Sequence, residues 1–284
     1  MLSALIMEGG AMRGMFTCGV IDVLLRNGIT FDAACGISAG AVFGCNYKSG
    51  QIGRALRYNK RFCRDPRYCS LRSLLRTGDL YGADFCYREL PETLDPFDKQ
   101  AYRDNPLRFF VGATDAETGR CVIRECSDGG DTDMLWLRAS ASMPMVSRPV
   151  IIDGHPMLDG GIADPVPYAW MEEQGCRRNV LVLTQPAGYR KKPVKGIPMV
   201  RLMLRRYPAA AEAIVHRHEV YNQQMEEIDS RERTGESLVI RPPYALGIGH
   251  TEKDPAELER VYRIGVREAE KRLGAIRSFL YSDT

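Results

Sequence analysis

Glu8-Gly9-Gly10-Ala11-Met12-Arg13-Gly14 and, shortly after it, Gly36-Ile37-Ser38-Ala39-Gly40 are the stretches whose reading decides the fold. The second is G-x-S-x-G, which sets a serine on a tight strand-to-helix turn. Its glycines stand where a side chain would block close backbone approach or resist strained dihedrals. The first is a glycine run between an apolar strand and a helix, where backbone N–H groups can gather around an anion. Leu2–Met7 (LSALIM) is an almost continuous apolar run, as expected of a strand buried on both faces. Residues 15–25 carry Phe16, Val20, Val23 and Leu24 at helical spacing. Residues 31–35 form a second short run into the serine turn, and 41–47 continue as a helix. Strand, glycine loop, helix, strand, turn and helix make a βαβ-sized unit. They predict an α/β fold with a mostly parallel central sheet and helices on both faces.

Farther along, residues 107–125 read as two strands around a turn at Glu117-Thr118-Gly119, and 133–141 as a helix ending before Met143-Pro144. Asp153-Gly154 is a hairpin signal between the short runs 149–152 and 156–158. Residues 179–184 (NVLVLT) and 238–240 are further strands. After Pro186 the composition shifts: 187–206 hold seven basic residues and no acidic one, then helical patterns run to about Glu227. We expect a core over 1–186 and a mainly helical region over 187–284 packed on it. The last helix is expected to open with Asp254 as cap, Pro255 in the first turn and Glu257 closing a capping box. Its apolar stripe runs through Leu258, Val261, Tyr262, Ala269, Leu273, Ile276 and Leu280.

With 284 residues, 44% of them hydrophobic and 26% charged, the chain can bury a large core. A formal charge of +3 gives no global argument for nucleic acid, and neither basic segment belongs to a nucleic-acid-binding module. The nine cysteines are odd in number and lack C-x-x-C spacing, which favours reduced thiols in a cytoplasmic protein. The first apolar run lacks the basic flank of a secretory signal, and no run reaches the ~20 residues of a membrane span. Any contact with a membrane is expected to be peripheral, at its inner face. The basic stretch 52–76 is the candidate surface, with Tyr58 and Phe62 available for insertion and its arginines for lipid phosphate.

A serine needs a base, and Asp159, followed by Gly160 and Gly161 after a short apolar run, is a candidate. Alone, D-G-G is a common turn. The nearby carboxylates have plainer readings, Asp153 in the hairpin turn and Asp164 as a turn initiator before Pro165.

Together, residues 8–14, Gly36 to Gly40 and Asp159 to Gly161, in that order, resemble the patatin-like phospholipases over about residues 1–186. The A-S-A-S-M-P run (139–144) and the 114–119 segment resemble the family too. The resemblance implies a three-layer patatin-like fold and a lipid acyl hydrolase of the phospholipase A, lysophospholipase or esterase type. In it Ser38 would be the nucleophile and Asp159 a base acting without histidine, through an acyl-enzyme. Gly9, Gly10, Ala11 and Arg13 would form the oxyanion hole, and Gly36 and Gly40 the nucleophile elbow. Ala11 replaces the family's usual third loop glycine; it keeps its N–H but resists positive φ. No cofactor is implied. We expect no metal, because the four histidines (155, 216, 218 and 250) form no ligand constellation.

Three other readings stay open on the residues. A Ser-Asp-His esterase of the α/β-hydrolase type would use the same elbow, with His216, His218 or His250 following Asp159. A nucleotide-binding protein would use the first loop for phosphate and Asp32 for ribose, yet it lacks the expected glycine at Ala11 and a lysine after Gly14. A lipid- or protein-binding descendant of the fold would keep the site without turnover.

Overall fold

The computed structural model describes residues 1–281. Eight strands form one sheet: β1 (Leu2–Met7), β2 (Ala33–Ile37), β3 (Arg108–Asp115), β4 (Cys121–Cys126), β5 (Val150–Ile152), β6 (His155–Asp159), β7 (Cys176–Val182) and β8 (Ser237–Ile240). Around it lie α1 (Met15–Arg26), α2 (Ala39–Lys48), α3 (Arg54–Phe62), α4 (Leu71–Thr77), α5 (Lys99–Asp104), α6 (Asp131–Ser140), α7 (Tyr168–Glu173), α8 (Ile197–Met203), α9 (Pro208–Thr234) and α10 (Pro255–Tyr281). β3, β2, β1, β7 and β8 are neighbours in that order and all parallel. β1 and β2 therefore lie side by side in one sheet, joined through α1, as the βαβ reading requires.

β3 carries the geometry that matters for the site. On one side it pairs antiparallel with β4 over 109–114. Its other side is shared: β2 runs parallel to residues 108–112, and β6 runs antiparallel to 113–115. β2 and β6 thus meet head to head, with Ile37 opposite Gly112 and Asp159 opposite Ala113.

Alternation along β1 sorts the helices into two layers. Ala4 and Ile6 join Met171 of α7 and Tyr221, Met225 and Ile228 of α9 in one core cluster. Leu5 and Met7 join Phe16, Phe43, Leu137 and Val261, from α1, α2, α6 and α10, in the other. Leu5, Ile6 and Met7 have no exposed surface, and burial of each such side chain is worth about 2 kcal/mol. The expected hairpin turn forms with Asp153 at φ 51° and Gly154 at φ 86°. α10 buries Leu258, Val261, Tyr262, Ala269, Ile276 and Leu280, and β8 adds a strand from 187–284 to the common sheet.

Two local expectations are corrected. Asp254 does cap α10, accepting the Ala256 N–H at 3.0 Å, but no capping box forms. Glu252 takes the Asp254 N–H at 3.0 Å, while Glu257 pairs with Arg260 at 2.8 Å. Within the basic stretch 52–76, α3 is also not a free insertion surface. Tyr58 and Phe62 are buried, because the segment 85–94 and α10 pack over the face of α3 that carries them; the Phe62 and Phe85 rings lie 5.3 Å apart. The cations of the stretch mostly fasten the chain. Arg57 pairs with Asp95 at 2.8 Å, Lys60 with Glu259 and Arg67 with Asp65 and Glu89. Buried Arg54 donates to the Asp95 carbonyl through Nε and Nη2, and through Nη1 to Asn46 Oδ1 at 3.0 Å.

Arg54→Met should therefore cost about 3 kcal/mol in a denaturant titration, since it strands two buried acceptors, the Asp95 carbonyl and Asn46 Oδ1. Arg72→Met, on the exposed face of α4, should stay within about 0.5 kcal/mol. Equal effects would mean that Arg54 is not a staple.

Candidate active site

Ser38 stands between the end of β2 and the start of α2, with φ 54° and ψ −121°, a strained conformation for a residue with a side chain. Two contacts hold it there. Its N–H donates to Ser140 Oγ at 2.8 Å, and Ser140 Oγ in turn donates to the Gly112 carbonyl at 2.6 Å. The Ser38 hydroxyl donates to Asp159 Oδ2 at 2.7 Å. The turn closes only because glycines let backbones pass: a Cβ at Gly40 would lie 2.2 Å from the Met7 carbonyl oxygen, and one at Gly36 2.5 Å from that of Gly40.

Asp159 ends β6 and is buried. Its second oxygen, Oδ1, accepts the Gly161 N–H at 2.8 Å, while its own carbonyl accepts Thr114 Oγ1 at 2.8 Å. The carboxylate is thus fixed from both sides and aimed at Ser38. Asp153 and Asp164 take no part: the first sits in the hairpin turn, and the second accepts from Gln224 Nε2 at 2.7 Å.

The glycine loop after β1 runs alongside. Gly9 passes so close that a Cβ there would sit 2.8 Å from the Ser38 Cβ. Ala11 adopts φ 49°, so the left-handed conformation is met without glycine. Arg13 N–H closes a turn onto the Gly10 carbonyl at 3.1 Å, and no acceptor among the described residues takes the Gly9 or Gly10 N–H. Thr184 pins the loop, donating through Oγ1 to the Gly9 carbonyl at 2.8 Å and through its N–H to Glu8 Oε2 at 2.6 Å.

Ser38, Asp159 and residues 9–11 face one cavity of about 730 Å³, within the usual 300–1,000 Å³ range of small-molecule sites. Phe43, Tyr58, Leu90, Phe97, Leu137 and Met143 give it an extended apolar wall. Among the described residues no three His, Cys, Asp or Glu side chains are placed to hold a metal ion.

Burial raises the Asp159 carboxyl pKa above its ordinary value. The Arg217 charge opposes this, as do the Ser38 and Gly161 hydrogen bonds and then the Lys191 charge. Arg217 reaches in from α9 and donates through Nε to the Gly161 carbonyl. Among the described residues no histidine hydrogen-bonds to Ser38 or Asp159. His216 meets Glu219 at 3.0 Å, His218 the Val215 carbonyl at 3.0 Å, and exposed His155 lies 3.5 Å from Asp115. His250 lines the cavity, with its pKa lowered by burial and by the charges of Arg13 and Arg217.

Sequence reasoning missed Ser140, Thr184, Lys191 and Arg217. Ser140 lay within the A-S-A-S-M-P run, whose second serine gave a signal. The other three had none beyond polarity.

The patatin-like phospholipase family model matches residues 5–170, 166 of the 284 residues. The chain belongs to that family. A second model, a domain of unknown function (DUF6363), matches residues 207–281. Relatives include the uncharacterized protein YjjU of Escherichia coli, 29% identical over 65% of this chain and 52% of that protein. The lysophospholipase NTE1 of Scheffersomyces stipitis is 22% identical over 94% of this chain and 18% of the yeast protein. An uncharacterized NTE family protein of Mycobacterium tuberculosis, Rv1063c, is 28% identical over 58% and 44%. The chain spans about half the length of these relatives or less. Among solved structures, VipD from Legionella pneumophila superposes with a TM-score of 0.47 at 11% identity, over 96% of this chain and 67% of that one.

In this patatin-like site the charge of Arg217 should be legible in the titration of Asp159. Arg217→Gln removes the largest influence that lowers the carboxyl pKa, so the midpoint should move to higher pH in carboxyl carbon NMR. An unmoved midpoint would mean that Arg217 only tethers the Gly161 loop.

Proposed function

We propose that this protein hydrolyses acyl esters of lipids, in the manner of a phospholipase A, lysophospholipase or esterase, with Ser38 as nucleophile and Asp159 as base. The observation that carries the reading is the 2.7 Å hydrogen bond from Ser38 Oγ to buried Asp159, inside a cavity with an apolar wall. Family membership and the lysophospholipase relatives support a lipid ester as substrate.

In this mechanism Ser38 Oγ attacks the ester carbonyl as its proton passes to Asp159 Oδ2. The oxyanion collects the N–H groups of Gly9, Gly10 and Ala11, with Arg13 adding positive charge; one such donor is typically worth about 3 kcal/mol in the transition state. Collapse expels the alcohol, which takes the proton from Asp159 and leaves the acyl chain on Ser38. Asp159 then draws a proton from the attacking water and returns it to Ser38 Oγ as the bond to the acyl carbon breaks and the acid departs. An ordinary carboxylate is a weak base toward an alcohol, and burial moves Asp159 in the useful direction. The Ser-Asp-His alternative is disfavoured because the serine hydroxyl meets the carboxylate with no imidazole between them. A purely lipid-binding role leaves the strained Ser38 backbone and its paired carboxylate without a purpose.

Fluorophosphonate labelling and ester turnover should both vanish in Ser38→Ala. Asp159→Asn should lower turnover by about 10²-fold or more, the scale of general-base loss. His250→Ala should stay within a few-fold. A His250→Ala variant as inactive as Ser38→Ala would replace the dyad with the triad.

Contact with an anionic membrane from the cytoplasmic side belongs to the same proposal, now through α4. Leu71 and Leu75, 73% and 89% exposed, share one face beside exposed Arg72 and Arg76. The chain after α4 is tied to the cavity rim, where Leu80 N–H donates to the Val146 carbonyl at 2.8 Å. No helix among the described residues is long and apolar enough to cross a membrane. Sedimentation with vesicles should show binding that rises with anionic lipid and falls with salt, and that weakens at least several-fold in Leu71→Ser/Leu75→Ser. Binding unaffected by that pair would remove α4 from the interface.

A further inference from the structure

Three cations border the candidate site without a carboxylate partner: Arg13 from the glycine loop, Lys191 from the segment after β7, and Arg217 from α9. Among the described residues none forms an ion pair, and the buried Arg13 Nε has no hydrogen-bond partner. Lys191 is held by its backbone, whose N–H donates to Asn222 Oδ1 at 2.7 Å and whose carbonyl accepts Asn222 Nδ2 at 3.0 Å. Its ammonium lies 4.3 Å from the centroid of the Tyr221 ring. Arg217 is placed by its single bond to the Gly161 carbonyl. Arg217 Nη2 and Asp159 Oδ1 both lie 3.2 Å from the point a Cβ on Gly161 would occupy, so the guanidinium stands beside the reacting pair.

The two nearby carboxylates are otherwise engaged, Glu8 by Thr184 and Asp159 by Ser38 and Gly161. Three cations against two carboxylates leave one positive charge in excess. The strain shows in Lys191, whose pKa is pushed down to about 7 by burial and then by the Arg217 charge, with Glu8 opposing, Arg13 adding to the fall and Asp159 opposing last. Holding Asp159 ionised does not require so many cations, since Arg217 dominates there and Lys191 comes last.

We propose that Arg13, Lys191 and Arg217 form an anion subsite that receives the phosphodiester of a lipid headgroup while the acyl chain lies along the apolar wall. A phosphodiester suits this donor set, because a guanidinium fork and a point ammonium can share its two charged oxygens. The placement also suits an amphiphile. Phe43, Tyr58 and Leu137 belong to α2, α3 and α6 in one layer, whereas Arg217 belongs to α9 in the other. Two of the three cations thus come from the part of the chain beyond the patatin-like match, and Arg217 lies within the DUF6363 match.

The proposal rests on Ser38 as the ester-cleaving group for its kinetic test, and a binding test stands apart from that. In the full chain, kcat/KM is compared for a lysophosphatidylcholine and a monoacylglycerol of the same acyl chain, both as monomers. Lys191→Gln should lower the ratio of the two by about tenfold, through KM for the phospholipid, and Lys191→Arg should restore most of it. An unchanged ratio overturns the subsite, as does a loss shared equally by both substrates. In Ser38→Ala protein, calorimetry should show glycerophosphocholine binding that weakens about tenfold when Lys191→Gln is added. No difference there overturns the subsite even if Ser38 proves not to be the nucleophile. Inorganic phosphate binding as tightly as glycerophosphocholine would assign the cations to free phosphate and overturn the headgroup reading.

Discussion

The hydrogen bond from Ser38 Oγ to Asp159 is the constraint around which the sheet is arranged. It joins residues 121 positions apart, and it forms because β2 and β6 divide one side of β3 between them. Strands on opposite sides of a third strand lie roughly 10 Å apart, too far for a serine and an aspartate to meet. Strands that abut end to end along the same side bring their last residues together. Here β2 stops at Ile37, opposite Gly112, and β6 arrives from the other direction to place Asp159 opposite Ala113. An antiparallel strand at the edge of a parallel sheet is what makes the pair possible.

The junction leaves no space for side chains in its backbone. Gly160 passes over the Gly112 carbonyl, where a Cβ would come within 2.2 Å. That carbonyl also accepts the Ser140 hydroxyl, and Ser140 accepts the Ser38 N–H, so a single peptide of β3 anchors both halves of the site. Strain at a residue such as Ser38 is worth about 1–3 kcal/mol and persists only where neighbours over-determine it. The hydroxyl relay, the helix that begins at Ala39 and the Asp159 contact together do so.

Much of this was legible in the sequence. LSALIM, the glycine loop and G-x-S-x-G carry local signals that need no partner to interpret, since strand burial, turn chemistry and helix spacing are set by neighbouring residues. D-G-G drew attention to the aspartate that accepts from Ser38, although only the register on β3 brings the two together. Other features depend on what covers what. Tyr58 and Phe62 are at helical spacing whether their face meets lipid or protein, and here segment 85–94 and α10 cover it. Glu257 fits a capping-box pattern, yet Glu252 reaches the same N–H from the preceding loop. Lys191 and Arg217 are two among many basic residues in the second half of the chain. Nothing local distinguishes them from surface charge, because their position depends on α9 packing across the sheet from α6.

α6 has two attachments whose consequences meet. Its C-terminal turn supplies Ser140 to the Ser38 amide, and one turn earlier Leu137 belongs to the apolar wall of the cavity. In the proposed reaction the surface that would feel the width of an acyl tail and the hydroxyl that props the elbow therefore move as one lever. A branched or rigid tail that displaces α6 would slacken the prop under Ser38 as well as fit poorly. Tail shape would then register in how often a bound molecule reacts, beyond how long it stays.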